Sequence, residues 1–300
     1  MLNRLLVAAM PLAPRFIVRS ISKRYIAGED RESALQLCGQ LADAGFLTTL
    51  DILGESVTTE AQALTSRDAY LELIDAVVDA GIERNMSLKP TALGLAFSPE
   101  LAFESIRSIV SKAAEKDLFI RIDMENSPYT QHTLDFYKTL RQDFSNVGTV
   151  IQAYLKRSAN DVREISQHGG NLRICKGIYR EAPEIAYQDR EEVRQNFRLL
   201  VDQMFEEDAY VGIATHDLHL IQMIQGIIEE SSIPRDRYEF QALLGVPIED
   251  TLRQLMAEGH RVRIYVPFGS QWYAYSSRRL KENPDIAGYV MRDWFKRGRR

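Results

Sequence analysis

From residue 45 onward, short runs of β-branched and apolar residues alternate with longer segments whose apolar positions recur every three to four residues. The runs Phe46–Ile52, Met86–Lys89, Leu118–Asp123, Thr149–Tyr154, Leu172–Cys175, Val211–Thr215, Glu239–Leu243 and Val262–Val266 predict eight strands. The segments 58–80, 98–116, 128–143, 158–168, 187–208, 217–230, 247–258 and 271–282 predict eight helices. Ser98 followed by Pro99 is an N-cap and first-turn pair, and Gly81, Gly169 and Gly259 stand where a helix end takes a left-handed residue. Eight β/α pairs in unbroken order over about 250 residues predict an α/β chain closed into a (βα)8 TIM-type barrel rather than an open doubly wound sheet. Helices over 31–45 and 285–297 flank the repeats. The domain reading is therefore an N-terminal helical arm, residues 1–44, and a barrel with its C-terminal helix, residues 45–300.

Composition narrows the class. The chain of 300 residues is 45% hydrophobic and 26% charged, which suits a large buried core. Its formal charge of -5 lacks the basic excess of a general nucleic-acid binder. Cys38 and Cys175 are too few for a disulfide framework or a thiolate cage and fit a reducing compartment. No stretch reaches the roughly 20 apolar residues of a spanning helix. Residues 1–28 carry Arg4, Arg15, Arg19, Lys23 and Arg24 with no acid before Glu29. A basic helical arm, with Ile17, Ile21 and Tyr25 at i, i+4 spacing, is preferred there to a presequence or secretory signal. The tail Lys296–Arg300 reads as a solvated end.

In such barrels chemistry sits where the strands end. Here the strand ends carry Asp51, Lys89, Asp123, Gln152, Lys176, His216 and Tyr265, and seven polar groups converging on one mouth favour a site. There is no G-x-G-x-x-G, P-loop or G-x-S-x-G, so a Rossmann site, a nucleotide triphosphatase and a hydrolase elbow are unsupported. His216-x-x-His219 has no evident third ligand, so no metal is expected. On the helix over 271–282, Tyr275, Arg278, Arg279 and Glu282 share one face. With Lys89 the two guanidiniums would form a cationic clamp for a small carboxylate.

These stretches resemble the proline dehydrogenase family in its bacterial single-function form. The likeness is carried by Asp51-Ile-Leu-Gly-Glu55, Ser87-Leu-Lys-Pro90, Arg121-Ile-Asp-Met-Glu125, Ile151-Gln-Ala-Tyr154, Arg173-Ile-Cys-Lys-Gly-Ile-Tyr179, Ala214-Thr-His216, Phe240-Gln-Ala-Leu243, Tyr265-Val-Pro and the Tyr275/Arg278-Arg279/Glu282 helix. The resemblance implies FAD-dependent oxidation of L-proline to Δ1-pyrroline-5-carboxylate, with hydride passing to flavin N5. It implies that Lys89, Arg278 and Arg279 hold the substrate carboxylate, that Tyr265, Tyr275 and Tyr179 lie by the ring, and that Asp123 and Arg173 are catalytic-site positions, Arg173 near N5. It assigns FAD contacts to Met124, Gln152, Lys176, Gly177, Ile178, Thr215, His216 and Glu282, and a gate to Glu55 with Arg278. Asp217 departs from relatives that carry Asn there. A membrane quinone is the implied electron acceptor, for a cytoplasmic protein with peripheral contact at the inner face of the membrane left open. No base for the substrate amine is identified, and the sequence sets no oligomeric state.

Two other readings stand beside this one. A barrel of the methylenetetrahydrofolate reductase type would need a folate and nicotinamide pocket in place of the arginine clamp. A non-catalytic carboxylate sensor would use the clamp alone.

Overall fold

The structure, a computed structural model, describes residues 24–54, 57–166, 169–207 and 209–273. Its elements run α1 (Arg31–Asp43), β1 (Leu47–Ile52), α2 (Glu60–Asp79), β2 (Asn85–Leu88), a 3-10 turn (Pro90–Leu93), α3 (Pro99–Glu115), β3 (Phe119–Ile122), α4 (Ser127–Asp143), β4 (Val147–Gln152), α5 (Ser158–Ser166), β5 (Asn171–Cys175), α6 (Arg190–Glu206), β6 (Tyr210–Ala214), α7 (Leu218–Glu230), β7 (Tyr238–Leu243), α8 (Glu249–Ala257) and β8 (Val262–Phe268). The strands close in chain order, all parallel, with β8 returning to β1 from Leu47↔Arg263 through Ile52↔Phe268. The closed eight-stranded barrel expected from the pattern is the observed fold.

Local chemistry explains the boundaries. Ser98 caps α3 by accepting from the Leu101 amide, with Pro99 in the first turn. Asp189 accepts from the amides of Glu191 and Glu192, so α6 begins at Arg190 rather than at 187. Gly81, Gly169 and Gly259 all have positive φ (63°, 70° and 82°). The 3-10 turn after β2 had no periodic signal, being four residues that start at a proline. Helix α1 buries Ala34 and Cys38 in the same core as the barrel. The segment before it runs along the end of β8, where the Ala27 amide donates to Pro267 O at 2.9 Å and the Gly269 amide to Gly28 O at 3.0 Å. Tyr25 lies in a turn there, and residues 1–23 lie outside the described residues, as do nearly all of the helix over 271–282 and the one over 285–297. Among the described residues no helix is long and apolar enough to cross a membrane.

Strand alternation divides the molecule into two interiors. Leu50, Ile120, Ile122, Leu172, Ile174, Phe240, Val262 and Ile264 point outward and form the apolar layer beneath the helices. Their neighbours Thr49, Ser87, Arg121, Arg173, Glu239, Gln241 and Arg263 fill the barrel with buried polar side chains, paired to one another or to backbone. Room for them comes from glycine: a Cβ at Gly212 would lie 2.5 Å from Gln241 Nε2.

At the opposite end from the strand termini, His260 is 5% exposed and meets the Tyr238 hydroxyl at 2.8 Å through Nδ1, with the Arg235 guanidinium against the same ring. Burial and then the Arg235 cation pull its pKa down from 6.5 to about 4. A histidine whose folded pKa is depressed contributes stability above its unfolded pKa and loses it as pH falls, because the unfolded chain then binds a proton that the folded one refuses. Stability should therefore decline as pH drops from about 6.5 toward 4, and His260→Gln should flatten that decline in urea melts taken across the range. An unchanged slope in the variant would remove His260 as its source.

Candidate active site

Five strands aim one cluster at the mouth. Lys89, the residue after β2, places Nζ 2.7 Å from Asp51 Oδ2 on β1, 3.2 Å from the Tyr265 hydroxyl on β8 and 3.5 Å from Asp123 Oδ2 after β3. The Tyr265 hydroxyl donates to Asp123 Oδ2 at 2.8 Å, and Arg173 Nη1 on β5 donates to Asp123 Oδ1 at 2.9 Å. Arg173 is gripped on its other edges, with Nε donating to Gln241 Oε1 at 2.6 Å and Nη2 to Ser87 Oγ at 3.2 Å. Its guanidinium carbon lies 5.1 Å from the centre of the Tyr265 ring. The arrangement is a mesh of two carboxylates and two cations, with Asp51, Lys89 and Arg173 buried and Asp123 half-buried, and a half-buried phenol joining Lys89 to Asp123.

Burial sets the electrostatics. Asp51 is fully buried, and loss of water pushes its carboxyl up to about 6 against the pull of Lys89, with Asp123 pushing the same way as burial. Burial disfavours the Lys89 ammonium too, but Asp51, Tyr265 and Asp123 outweigh it and hold its pKa well above the usual lysine value. Burial, then Asp123 and Asp51, keep the Tyr265 phenol protonated far above the ordinary tyrosine range.

A second group lies where β4, β5 and β6 end. Lys176 Nζ donates to Asp217 Oδ2 at 3.1 Å, Arg194 reaches both Asp217 oxygens at 2.9 and 3.0 Å, and Arg190 stands 3.5 Å away. Burial opposes the Asp217 charge, but hydrogen bonds from Arg194 and Lys176 hold its carboxyl well below the usual range. Gln152, 2% exposed, donates from Nε2 to Glu125 O at 2.9 Å. Gly177 has φ 106°, and a Cβ there would stand 2.2 Å from the Tyr154 ring, so the turn after Lys176 lies flat on that ring. The same loop is pinned by Glu181, which accepts from the amide and hydroxyl of Ser127 at 2.7 Å each.

A sequence profile of the proline dehydrogenase family matches residues 34–292. The chain is 35% identical over 276 residues to proline dehydrogenase 1 of Bacillus subtilis, spanning 92% of this chain and 91% of that one. It is 37% identical over 282 residues to proline dehydrogenase of Deinococcus radiodurans, again over 92% and 91% of the two chains. The chain belongs to the proline dehydrogenase family. Among solved structures, proline utilization A from Bdellovibrio bacteriovorus inactivated by N-propargylglycine superimposes with a TM-score of 0.82 at 26% identity, over 89% of this chain and 33% of that one. The chain thus spans about a third of that larger protein.

Of the positions the family resemblance singled out, the structure gathers Lys89, Asp123, Arg173 and Tyr265 into the mesh. Met124, Gln152 and Thr215 are buried, Lys176, Gly177, Ile178 and Tyr179 are half-buried along the loop after β5, and His216 is exposed just before α7. Glu55, Tyr275, Arg278, Arg279 and Glu282 lie outside the described residues. The sequence marks Asp51 as a strand end and places Ser87 and Gln241 in stretches shared with the family, but it assigns none of the three a role, and it does not single out Glu239 or Arg263. The signal available was charge inside strands of a parallel barrel, where both faces are covered and an acid or arginine needs a partner.

Proposed function

We propose that FAD is the oxidant at this mouth and that L-proline binds with its carboxylate on Lys89, leaving as Δ1-pyrroline-5-carboxylate. Membership of the proline dehydrogenase family makes the protein an oxidoreductase of proline catabolism. The observation that carries the reading at residue level is the Lys89–Asp123–Arg173–Tyr265 mesh at the strand ends.

The residues fit the cofactor. Lys176, Arg190 and Arg194 bring three cations to one carboxylate, an excess of positive charge suited to a diphosphate. Gln152 ends β4, Lys176, Gly177 and Ile178 follow β5, and Thr215 and His216 follow β6, around the same cations; with Met124 and Glu282 they are the flavin contacts that the family resemblance implies. When bound, the flavin supplies the hydride acceptor. The protein's own part is orientation and charge. Lys89 holds the carboxylate, joined by Arg278 and Arg279. Tyr265, Tyr275 and Tyr179 flank the ring, and Arg173, fixed by Gln241 and Asp123, keeps a cation where negative charge develops. Glu55 with Arg278 closes the mouth and excludes water. The electrons pass to a membrane quinone met by peripheral contact from the cytoplasmic side, a proposal supported by family resemblance.

Anaerobic titration of the purified protein with L-proline tests the reading. The expected result is a yellow protein whose visible absorbance bleaches on addition of proline. A colourless protein that binds proline with no spectral change would overturn it in favour of a carboxylate sensor.

A further inference from the structure

The mesh contains one ionisable group with no task in the reaction so far. Asp51 is fully buried, with Oδ2 on the Lys89 ammonium at 2.7 Å. Its other oxygen, Oδ1, is buried without a hydrogen-bond partner among the described residues. Asp123 differs, because Arg173 and Tyr265 donate to its two oxygens at 2.9 and 2.8 Å. An ionised carboxylate wants donors on both oxygens, whereas a carboxylic acid leaves one lone pair idle at little penalty. Asp51 is thus the carboxyl of the pair built to exist in either form.

The chemistry needs such a group. Proline arrives as a zwitterion, and its nitrogen must lose a proton before the neighbouring carbon can release hydride. That nitrogen is bonded to the carbon that bears the carboxylate, so it lies within reach of the ammonium that holds the carboxylate.

We propose that Asp51 is the terminal acceptor of the substrate's ammonium proton, reached through Lys89. Lys89 Nζ gives one proton to Asp51 Oδ2 along the 2.7 Å contact, breaking that N–H bond and freeing the nitrogen lone pair, and this lone pair takes one proton from the proline ammonium, whose N–H bond breaks. Proline is left as the neutral amine with its lone pair, Lys89 is again an ammonium, and Asp51 is a neutral acid. No oxidation state changes: proline loses one positive charge and the mesh gains one, so the sum over substrate and mesh is unchanged. Asp51 touches no substrate, so it is a positioning residue that acts through Lys89.

The electrostatic setting agrees. The groups facing Asp51 are Lys89 beyond β2, Asp123 beyond β3, Tyr265 on β8 and the Tyr70 phenol on α2, with Arg173 of β5 one step further, on Asp123. Burial already lifts the Asp51 carboxyl to about 6 beside Lys89. A substrate carboxylate drawing on Lys89 weakens the pair that holds Asp51 ionised, which raises its proton affinity as proline's nitrogen gives up its own.

The proposal rests on proline being the reductant of a bound flavin, and its tests keep the two failures apart. The flavin-loaded enzyme is reduced anaerobically at limiting proline across pH 5–9, which reports the free enzyme and free substrate. The native enzyme should show a rate that rises through the Asp51 ionisation and then levels off. In Asp51→Asn the plateau should vanish, leaving a rate that climbs tenfold per pH unit with the free-amine form of proline. A second measurement needs no variant: binding of cyclopentanecarboxylate, which has the ring and carboxylate but no amine, should draw about one proton per site from weakly buffered solution near pH 7. Equal pH profiles in native and variant enzyme, or no proton uptake by the native enzyme, would overturn the Asp51 assignment. Absence of any flavin reduction by proline in the native enzyme would instead overturn the function.

Discussion

Lys89→Met is expected to lower kcat/KM for proline by roughly a hundredfold to more than a thousandfold while leaving flavin content unchanged. Lys89 is 7% exposed, so a carboxylate meeting it does so in a largely desolvated site, where removing one partner of an ion pair costs about 3–5 kcal/mol. The fold should survive. With Lys89 gone, Asp51 would face Asp123 without the cation at 2.7 Å, and a buried carboxyl already lifted to about 6 takes up a proton rather than remain an unpaired charge. The proposed flavin contacts Gln152, Lys176, Gly177, Ile178, Thr215 and His216 lie at the ends of β4 to β6, away from Lys89, so flavin content gives an internal control. Stopped-flow reduction by proline together with the visible spectrum reads both quantities. A flavin-loaded variant with near-normal kcat/KM would remove Lys89 from substrate binding.

The uneven legibility of this chain has a physical basis. Barrel order, strand ends and most helix starts follow from periodicities and caps that act over a few residues, and these are written locally. Ser98-Pro99 is an example that both sequence and structure give. Lys89, Asp123 and Tyr265 stood out as polar residues closing apolar strands at the end where such barrels carry their chemistry, whereas Arg173, inside β5, was singled out by the family resemblance alone. The partnerships were not legible. Which oxygen of Asp51 goes without a donor, or that Gln241 turns its carbonyl to Arg173 and its amide to Glu239, depends on which residues of β1, β2, β5, β7 and β8 share one level of the closed barrel. That level is set by strand register, and register is a property of all eight strands together. Glu181 capping the start of α4 escaped for a related reason, since its partner Ser127 is 54 residues away in the chain.

The same register makes the base of the barrel matter to its mouth. Arg263→Met should lower stability by about 3–5 kcal/mol, a fall in Tm of roughly 6–20 °C for a domain of this size. Arg263 Nε donates to Glu239 Oε1 at 2.7 Å, Nη1 to Thr48 O at 2.6 Å and Nη2 to Glu83 Oε1 at 3.0 Å. Burial would raise the Glu239 carboxyl, but Arg263 outweighs it and holds the pKa below the usual glutamate value. Glu239 is 1% exposed beside Arg263, and loss of that guanidinium leaves Gln241 as the donor to Oε1 and no partner for Oε2 among the described residues. Arg253→Met supplies the contrast, because its pair with Glu249 is 53% and 69% exposed and should change stability by about 0–1 kcal/mol. Equal falls in Tm for the two variants would mean that the buried pair holds nothing together. Replacing both partners, as Arg263→Met with Glu239→Met, removes the stranded charge and should recover much of the lost stability. Turnover should not recover with it. Gln241 Nε2 would have lost its acceptor at 2.5 Å, the amide would be free to rotate, and Arg173 would no longer be held at Nε on the side away from Asp123. Stability restored while proline turnover stays low would separate the two consequences of one buried charge, the support of the barrel and the aim of the guanidinium above it.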